Sequence, residues 1–237
     1  MSWHNLLFMH WPVSPDLLRP LIPPALELDT FDNQAWLGIV PFTMTNVRPR
    51  WFPEFLGSAF PEINLRTYAR RGHRSGVWFF SLDAADWLAV WAARRAYHLP
   101  YWLAEMSAEQ VSGWTHFKSR RAADPGVKIS CRYRPTGPPF RSLPGSLEYW
   151  LTERYCLFSA NRRGGVFVGE IHHRPWPLQP AEVELTENTM AGPIGATLPA
   201  SQPLLHYAER LDVVAWGLER AELFVPASAG RGANRST

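Results

Sequence analysis

The chain has 237 residues, of which 46% are hydrophobic and 19% charged, a balance that is typical of a folded globular protein and excludes a disordered or collagen-like one. The 24 basic and 21 acidic residues leave a net charge of +3, and the arginine pairs are scattered, so no basic stripe for a nucleic-acid backbone is formed. The 22 prolines and 16 glycines disfavour long helices and favour many short strands and turns.

The cysteines and the N-terminal segment indicate a cytoplasmic protein. Cys131 and Cys156 are the two cysteines, and their spacing matches neither a redox motif nor a zinc site. The first residues lack the positive charge of an export signal, Pro12 interrupts the apolar run that follows, and no apolar stretch is long enough to span a membrane. We expect one domain over residues 1–226, followed by a flexible tail of small and polar residues at 227–237.

Strands dominate the predicted elements of the first half. Residues 6–11 form an apolar run, and the Ser14-Pro15-Asp16 sequence that follows is typical of the start of a short helix. Asp83 is expected to cap a longer helix over residues 84–97, which Leu99-Pro100 ends. In chain order, strands are predicted over residues 6–11, 26–31, 34–42, 60–69 and 77–82, with a proline- and aromatic-rich loop over residues 48–57.

The second half of the sequence predicts further strands and no second long helix. These strands cover residues 113–121, 127–133, 153–159, 165–173, 181–185 and 211–216, and residues 205–210 fit a short strand or a helix. The sequence therefore predicts a mostly β (α+β) domain with one substantial helix in the middle.

The histidines do not predict a metal site. His172 and His173 are adjacent, so on a strand their side chains point to opposite faces. His4 and His10 are expected to share a strand face, but at a separation of about 20 Å. The nucleophile-elbow, phosphate-loop and HExxH motifs are also absent from the sequence, so we predict neither a metal nor a cofactor.

A polar row on the strand over residues 60–69 is the main candidate for a site. Glu62, Asn64, Arg66 and Tyr68 alternate with apolar residues and so share one face. Such a row can face solvent, or it can line a cleft or barrel in which Glu62 acts as an acid or base and Arg66 binds a carboxylate. The residues alone leave both alternatives open.

Several segments spread over most of the chain resemble one family. They are Trp3-His4-Asn5-Leu6-Leu7-Phe8, Leu26-Glu27-Leu28-Asp29, Phe60-Pro61-Glu62-Ile63-Asn64-Leu65-Arg66-Thr67-Tyr68, Gly76-Val77-Trp78-Phe79-Phe80-Ser81-Leu82-Asp83-Ala84, Leu99-Pro100-Tyr101, Leu151-Thr152-Glu153-Arg154-Tyr155-Cys156 and Ile171-His172-His173-Arg174-Pro175-Trp176-Pro177-Leu178. On these segments the chain is similar to the YqjF-like family of uncharacterised bacterial proteins, which is related in fold to acetoacetate decarboxylase. The resemblance implies an acetoacetate-decarboxylase-like β-barrel or cone with one central helix.

The remoter likeness to acetoacetate decarboxylase implies a kept cleft without its covalent chemistry. That enzyme has a Pro-Lys-Lys sequence after its central helix, and Pro100-Tyr101-Trp102 stands in its place here. Imine formation needs an amine, so the resemblance implies that this reaction is lost. It also places Glu62 at the catalytic glutamate and His4 at an active-site arginine.

We therefore expect a cytoplasmic protein that binds a small, partly apolar organic acid or ketone in a barrel cavity, without a nucleic-acid or membrane partner. The runner-up is a non-covalent acid–base enzyme that enolises, dehydrates or decarboxylates its substrate, and a third alternative is an interaction module with a collapsed cavity. The candidate catalytic residues are Glu62, Tyr101 and His4, and the candidate binding residues are Arg66, Asn64, Tyr68, Trp102 and Lys118. For Lys118, a side chain extended into solvent from a strand edge is the favoured alternative.

Overall fold

The structure, a computed structural model, describes residues 1–48 and 57–221, and this part of the chain is mostly strand. The strands are β1 (Ser2–Val13), β2 (Glu27–Leu28), β3 (Ala35–Val47), β4 (Ser58–Arg71), β5 (Arg74–Ala84), β6 (Tyr101–Val111), β7 (Trp114–Arg121), β8 (Lys128–Pro135), β9 (Cys156–Ala160), β10 (Val166–His173), β11 (Ala181–Asn188) and β12 (Leu204–Arg220). The helices are α1 (Pro15–Leu18), α2 (Trp87–Ala96) and α3 (Leu147–Thr152), with single 3-10 turns over Arg19–Leu21 and Gly192–Ile194.

Seven of these strands pair in a closed circuit. Its order is β4, β5, β9, β10, β12, β1, β3 and back to β4, and every pairing is antiparallel except the parallel one between β5 and β9. Apolar side chains from strands all around the circuit meet in one buried cluster, which therefore lies inside it. The cluster includes Phe8 of β1, Val40 of β3, Phe60 of β4, Ala84 of β5 and Val213 of β12.

A second sheet covers one outer side of the circuit. Strand β6 pairs with β5 in parallel, and β7, β8 and β11 follow in antiparallel order. Phe117 of β7 and Ile129 of β8 pack with Leu7, Leu37 and Ile63 on the outward faces of β1, β3 and β4. Each circuit strand on this side is thus buried on both faces, which explains its nearly continuous apolar sequence.

The predicted mostly β fold is confirmed, with several corrections to its elements. The residues predicted as a strand at 26–31 contribute only Glu27–Leu28, whereas β6 and α3 were not predicted. Residues 205–216 belong to one long strand, β12. Most of the predicted loop over residues 48–57, and the whole predicted tail at 227–237, lie outside the described residues.

The cap predicted for the main helix is wrong. Asp86, not Asp83, accepts hydrogen bonds from the Leu88 and Ala89 amides at the start of α2. Asp83 still belongs to β5 and is fully buried. Of the α2 residues, only Val90 is buried, so the helix packs on the surface of the fold. Among the described residues, none of the helices has the length and apolar sequence of a membrane-spanning segment.

A kink in β1 reverses its inward and outward faces. The Trp3 ring stacks on Trp176 with ring centroids 5.9 Å apart, and the Phe8 ring meets the same indole at 4.9 Å. In a regular strand residues 3 and 8 would point to opposite faces. Asn5 lies between them with φ of 50°, a conformation that asparagine tolerates better than most residues, and the pairing register shifts in the same stretch.

Candidate functional site

The polar row of β4 is buried inside the circuit. Glu62 and Asn64 are 3% and 4% exposed, Tyr68 is fully buried and Arg66 is half-buried. The alternating side chains of β4, such as Ile63, belong to the cluster beneath the second sheet. The row therefore faces the interior of the circuit, and the solvent-facing alternative is excluded.

At one end of the row, Tyr101 contacts Glu62. Tyr101 begins β6 and pairs with Leu82 of β5, and its hydroxyl donates a hydrogen bond of 2.9 Å to Oε2 of Glu62. Burial raises the pKa of Glu62 from its ordinary 4.5 to about 8, an effect that the Tyr101 hydrogen bond opposes and the nearby Asp83 carboxylate reinforces. Glu62 is thus largely protonated at neutral pH and can exchange a proton near it.

Trp102 lies on the other side of β6 from Tyr101, because neighbouring strand residues alternate. There Arg121 of β7 holds Asp83 with two hydrogen bonds of 3.0 and 2.8 Å, and both side chains are buried. The Trp102 ring lies over the Arg121 guanidinium, 4.8 Å from its carbon to the ring centroid. Trp102 thus covers this ion pair between the two sheets and is not brought together with Glu62 and Arg66.

At the other end of the row, Arg66 lies near His10, which the sequence suggested only as a possible metal ligand. His10 of β1, Gly38 of β3 and Arg66 of β4 are direct neighbours in the pairing register. A Cβ atom at position 38 would lie 3.0 Å from Cδ2 of His10 and 3.3 Å from Cγ of Arg66, so both side chains use the space that the glycine leaves. The Arg66 guanidinium also lies over the Phe8 ring, with its carbon 5.1 Å from the centroid.

Among the described residues, the half-buried Arg66 lacks the acidic partner that the buried Arg121 and Arg154 have. Arg121 is paired with Asp83, and Arg154 is paired with Asp29 at 2.7 Å. For Arg66, no carboxylate within residues 1–48 and 57–221 forms an ion pair, and its buried Nε has no hydrogen-bond partner there. Burial accordingly lowers the pKa of its guanidinium.

His10 and Tyr68 form a short hydrogen-bonded chain next to Arg66. Nε2 of His10 lies 2.7 Å from the Tyr68 hydroxyl, which in turn donates a hydrogen bond of 2.7 Å to the carbonyl oxygen of Leu151. Nδ1 of His10 and Oδ1 of Asn64 are buried and have no partner in the described part of the chain. The sequence did contain a signal for His10. It is a polar residue within the apolar run of residues 6–11, two positions after Phe8 and therefore on the same strand face.

Two further candidates lie away from the row. His4 was expected to share a face with His10, but the kink in β1 places it on the opposite face, where its Nε2 lies 3.0 Å from Oγ1 of Thr45. Lys118 lies on the exposed face of β7, and the other lysine of the chain, Lys128, pairs with Glu187 at 2.6 Å. The structure thus brings together Glu62, Asn64, Arg66, Tyr68 and Tyr101, but not His4, Trp102 or Lys118.

The two pockets described in the structure do not contain the row. One, of about 450 Å³, lies at the start of β5 and β9 and beside β10, and its lining includes His73, Tyr155 and His172. The other, of about 370 Å³, lies between β11 and the segment before β12. Unlike His172, which lines the first pocket, His173 is buried, and its ring stacks on Tyr155 with centroids 4.6 Å apart. What marks the row is therefore its unpaired buried polar atoms and not an open pocket.

Comparison with solved structures supports the fold expected from the sequence. Acetoacetate decarboxylase from Legionella pneumophila superposes with a TM-score of 0.62 at 15% identity, over 92% of this chain and 86% of that one. The enduracididine biosynthesis enzyme MppR in complex with pyruvate gives 0.64 at 9% identity, over 94% and 91%. An acetoacetate decarboxylase-like enzyme from Sphingomonas wittichii gives 0.56 at 14% identity, over 92% of both chains. The fold is thus that of the acetoacetate decarboxylase-like proteins.

Sequence comparison gives a much nearer relative. The uncharacterized protein YqjF of Bacillus subtilis is 46% identical over 220 residues, which cover 92% of this chain and 90% of that protein. Residues 1–212 match the family model DUF2071, described as an uncharacterized conserved protein. The family match extends over the whole closed circuit except the end of β12. The chain therefore belongs to the DUF2071 family, and YqjF is one of its relatives.

Proposed function

We propose that this protein binds a small, partly apolar organic acid inside the circuit and holds its carboxylate with Arg66. The observation that carries the proposal is the Arg66 guanidinium, which is desolvated but has no acidic partner in the described residues. A buried charge of this kind is costly unless it is paired. A ligand carboxylate supplies the missing charge, and the planar guanidinium can bind it with two hydrogen bonds.

The surroundings of Arg66 favour a ligand that is otherwise apolar. Phe8, Val40 and Phe42 belong to the same buried cluster, and a few polar groups converge within it. This composition is typical of small-molecule sites. The fold also accommodates such ligands in a structural neighbour, since MppR has been solved in complex with pyruvate. We place the protein in the cytoplasm, without a nucleic-acid or membrane partner.

The proposed binding mode does not use an imine. Lys118 is exposed on the second sheet and Lys128 is held by Glu187, so neither amine lies near the row. Tyr101, which stands where the related decarboxylase has a lysine, is hydrogen-bonded to Glu62 instead. The ligand is therefore held by charge, hydrogen bonds and apolar contact alone.

A second candidate function is non-covalent acid–base catalysis on the same ligand. Its support is Glu62, whose pKa of about 8 places proton exchange near neutral pH. Glu62 and Arg66 are four residues apart on one strand, which corresponds to about 13 Å. A ligand whose carboxylate is bound by Arg66 would extend toward Glu62, which could then take or give a proton in an enolisation, dehydration or decarboxylation.

Calorimetric titration with straight-chain carboxylic acids and their neutral amides tests the binding proposal. We expect acids to bind and amides not to bind. Arg66→Met should weaken acid binding by about 1.5–3 kcal/mol, the usual contribution of a charged hydrogen bond. Arg132→Met, a change of an exposed arginine on β8, is the matched control and should leave binding unchanged. Equal affinity of the wild type and Arg66→Met would refute the proposal.

Proton NMR in deuterium oxide tests the catalytic alternative. Any acid that binds is incubated with the protein, and the loss of its carbon-bound proton signals by exchange and the appearance of signals from a dehydrated or decarboxylated product are followed. We expect exchange or conversion with the wild type and its loss in Glu62→Gln, while the Glu62→Gln variant still binds the acid. A wild type that binds acids but converts none of them would leave binding as the function.

A further inference from the structure

We propose that His10 makes the site selective for hydroxy acids, that is, for ligands with a hydroxyl group close to the carboxylate. This inference rests on the proposed function, because it takes the carboxylate as bound to Arg66. It goes further by assigning a role to His10 and by naming the second functional group of the ligand.

The first step is the position of the proton on His10. The Tyr68 hydroxyl has one hydrogen, and the Leu151 carbonyl oxygen 2.7 Å away can only accept. The hydroxyl therefore donates to Leu151, and Nε2 of His10, 2.7 Å from the same hydroxyl, must donate to it. His10 is fully buried and lies near the positive charge of Arg66, so the ring is neutral and carries its single proton on Nε2.

The second step is the atom that this arrangement leaves free. With the proton on Nε2, Nδ1 of His10 is an acceptor, and it has no hydrogen-bond partner among the described residues. Buried polar atoms in folded proteins are nearly always hydrogen-bonded, so a bare acceptor here calls for a donor from a ligand or from water. A carboxylate, a ketone or an ester cannot supply that hydrogen, but a hydroxyl group can.

The third step is the distance between the two binding groups. His10 and Arg66 flank Gly38 in the pairing register, and both side chains come within van der Waals range of the space above its Cα. Both side chains also contact the Phe8 ring: the His10 ring stacks on it with centroids 5.8 Å apart, and the Arg66 guanidinium carbon lies 5.1 Å from its centroid. One small acid can therefore reach Arg66 with its carboxylate and His10 with a hydroxyl group near that carboxylate, as in a 2- or 3-hydroxy acid. Asn64 lies two residues before Arg66 on the same face of β4, and its Oδ1 is a second buried acceptor without a partner among the described residues.

Titration of the wild type with four six-carbon acids tests the inference. The probes are 2-hydroxyhexanoate, 3-hydroxyhexanoate, 2-oxohexanoate and hexanoate. We expect at least one hydroxy acid to bind about ten-fold more tightly than hexanoate and the oxo acid, since a site built to hydrogen-bond a hydroxyl discriminates against analogues that lack it. In His10→Phe this ratio should fall to about one, whereas in the control His172→Phe, on the exposed part of β10, it should persist.

The outcomes separate this inference from the proposed function. If no acid binds, or if Arg66→Met binds all four acids as the wild type does, the proposed function fails. If the acids bind through Arg66 but without a preference for a hydroxyl, only the role of His10 is overturned. Should His10→Phe not fold, nitrogen NMR of the wild type decides the tautomer, because protonation of Nδ1 instead of Nε2 would also overturn the inference.

Discussion

The Tyr101 hydroxyl and the Glu62 carboxyl group, 2.9 Å apart, form the one side-chain hydrogen bond described between the polar row and β6. Burial raises the pKa of Tyr101 well above 10, so its hydroxyl keeps its proton and stays a donor across the physiological range. The bond favours the ionised form of Glu62 and opposes the larger effect of desolvation. Tyr101 therefore adjusts the protonation of Glu62 without titrating itself.

Replacing Tyr101 with phenylalanine should raise the pKa of Glu62 further above 8. The hydrogen bond that stabilises the carboxylate is lost while burial is kept, and we expect a shift on the order of one pH unit. Carbon NMR of the Glu62 carboxyl group against pH measures it. Tyr155→Phe, which removes a hydroxyl bonded to Glu153 instead, is the control. A lowered pKa in Tyr101→Phe would contradict this account.

The Glu62 carboxyl group should make the protein less stable as pH rises. Its pKa is about 8 in the fold and about 4.5 in the unfolded chain, so the folded state binds more protons between these values. The free energy of unfolding should fall across this window by on the order of 3–5 kcal/mol. Urea unfolding at pH 5 and pH 9 should show this loss reduced in Glu62→Gln, and unreduced in the exposed control Glu105→Gln. Equal losses in Glu62→Gln and the wild type would argue against a buried acid.

Arg121 and Arg66 should differ in how replacement by methionine changes the stability of the fold. Arg121→Met leaves the Asp83 carboxylate buried without its partner, which typically costs about 3–5 kcal/mol. Arg66→Met removes a guanidinium that has no acidic partner in the described residues, and we expect a change within about 1 kcal/mol or a gain in stability. Chemical denaturation of both variants measures the difference. Comparable losses would mean that the hydrogen bond of Arg66 with Tyr68 and its contact with the Phe8 ring stabilise the fold as much as the ion pair of Arg121 does.

Reduction with borohydride in the presence of a keto acid should not label the protein stoichiometrically. Lys118 is exposed and Lys128 is paired with Glu187, so neither is a desolvated amine poised for imine formation. Intact-mass spectrometry after incubation with pyruvate or acetoacetate gives the readout. One reduced adduct per chain, mapped to either lysine, would overturn the non-covalent binding mode.

Both cysteines should be free but unreactive in the folded protein. Burial raises the pKa of the Cys131 thiol to about 12 and that of the Cys156 thiol to about 11, so little thiolate exists at pH 8. Thiol counting under non-reducing conditions should give almost none in the native state and two after denaturation. A count of zero after denaturation would mean a disulfide and would contradict the expected reducing compartment.

The sequence predicted the strands and the row well because both depend on local alternation. Glu62, Asn64, Arg66 and Tyr68 lie on one face of β4 as their period of two requires. What the residues left open was whether that face is inward, since this depends on the pairing of β4 with β3 and β5. The family resemblance favoured the inward alternative, and burial agrees with it.

The rest of the site could not be read from local patterns. Counting along a regular strand places His4 and His10 on one face, and the left-handed conformation of Asn5 puts them on opposite faces. Asp83 pairs with Arg121, which is 38 positions away and lies in the other sheet. Nothing close to Asp83 in the sequence indicates this ion pair, so the sequence was equally compatible with Asp83 as a helix cap. His10 and Arg66 share the space above Gly38, and the missing side chain of this glycine matters only once the three strands are aligned.

The pairing of β1 with β12 has a consequence for how the protein folds. Ser2 lies opposite Asp212, so the contacts that complete the circuit join the two ends of the described chain. Proteins dominated by such distant contacts fold slowly, because a large loop must be ordered before the contacts form. During synthesis β1 and β10 should remain unpaired edges until β12 has emerged, and the polar row should stay open to water until that last strand is in place.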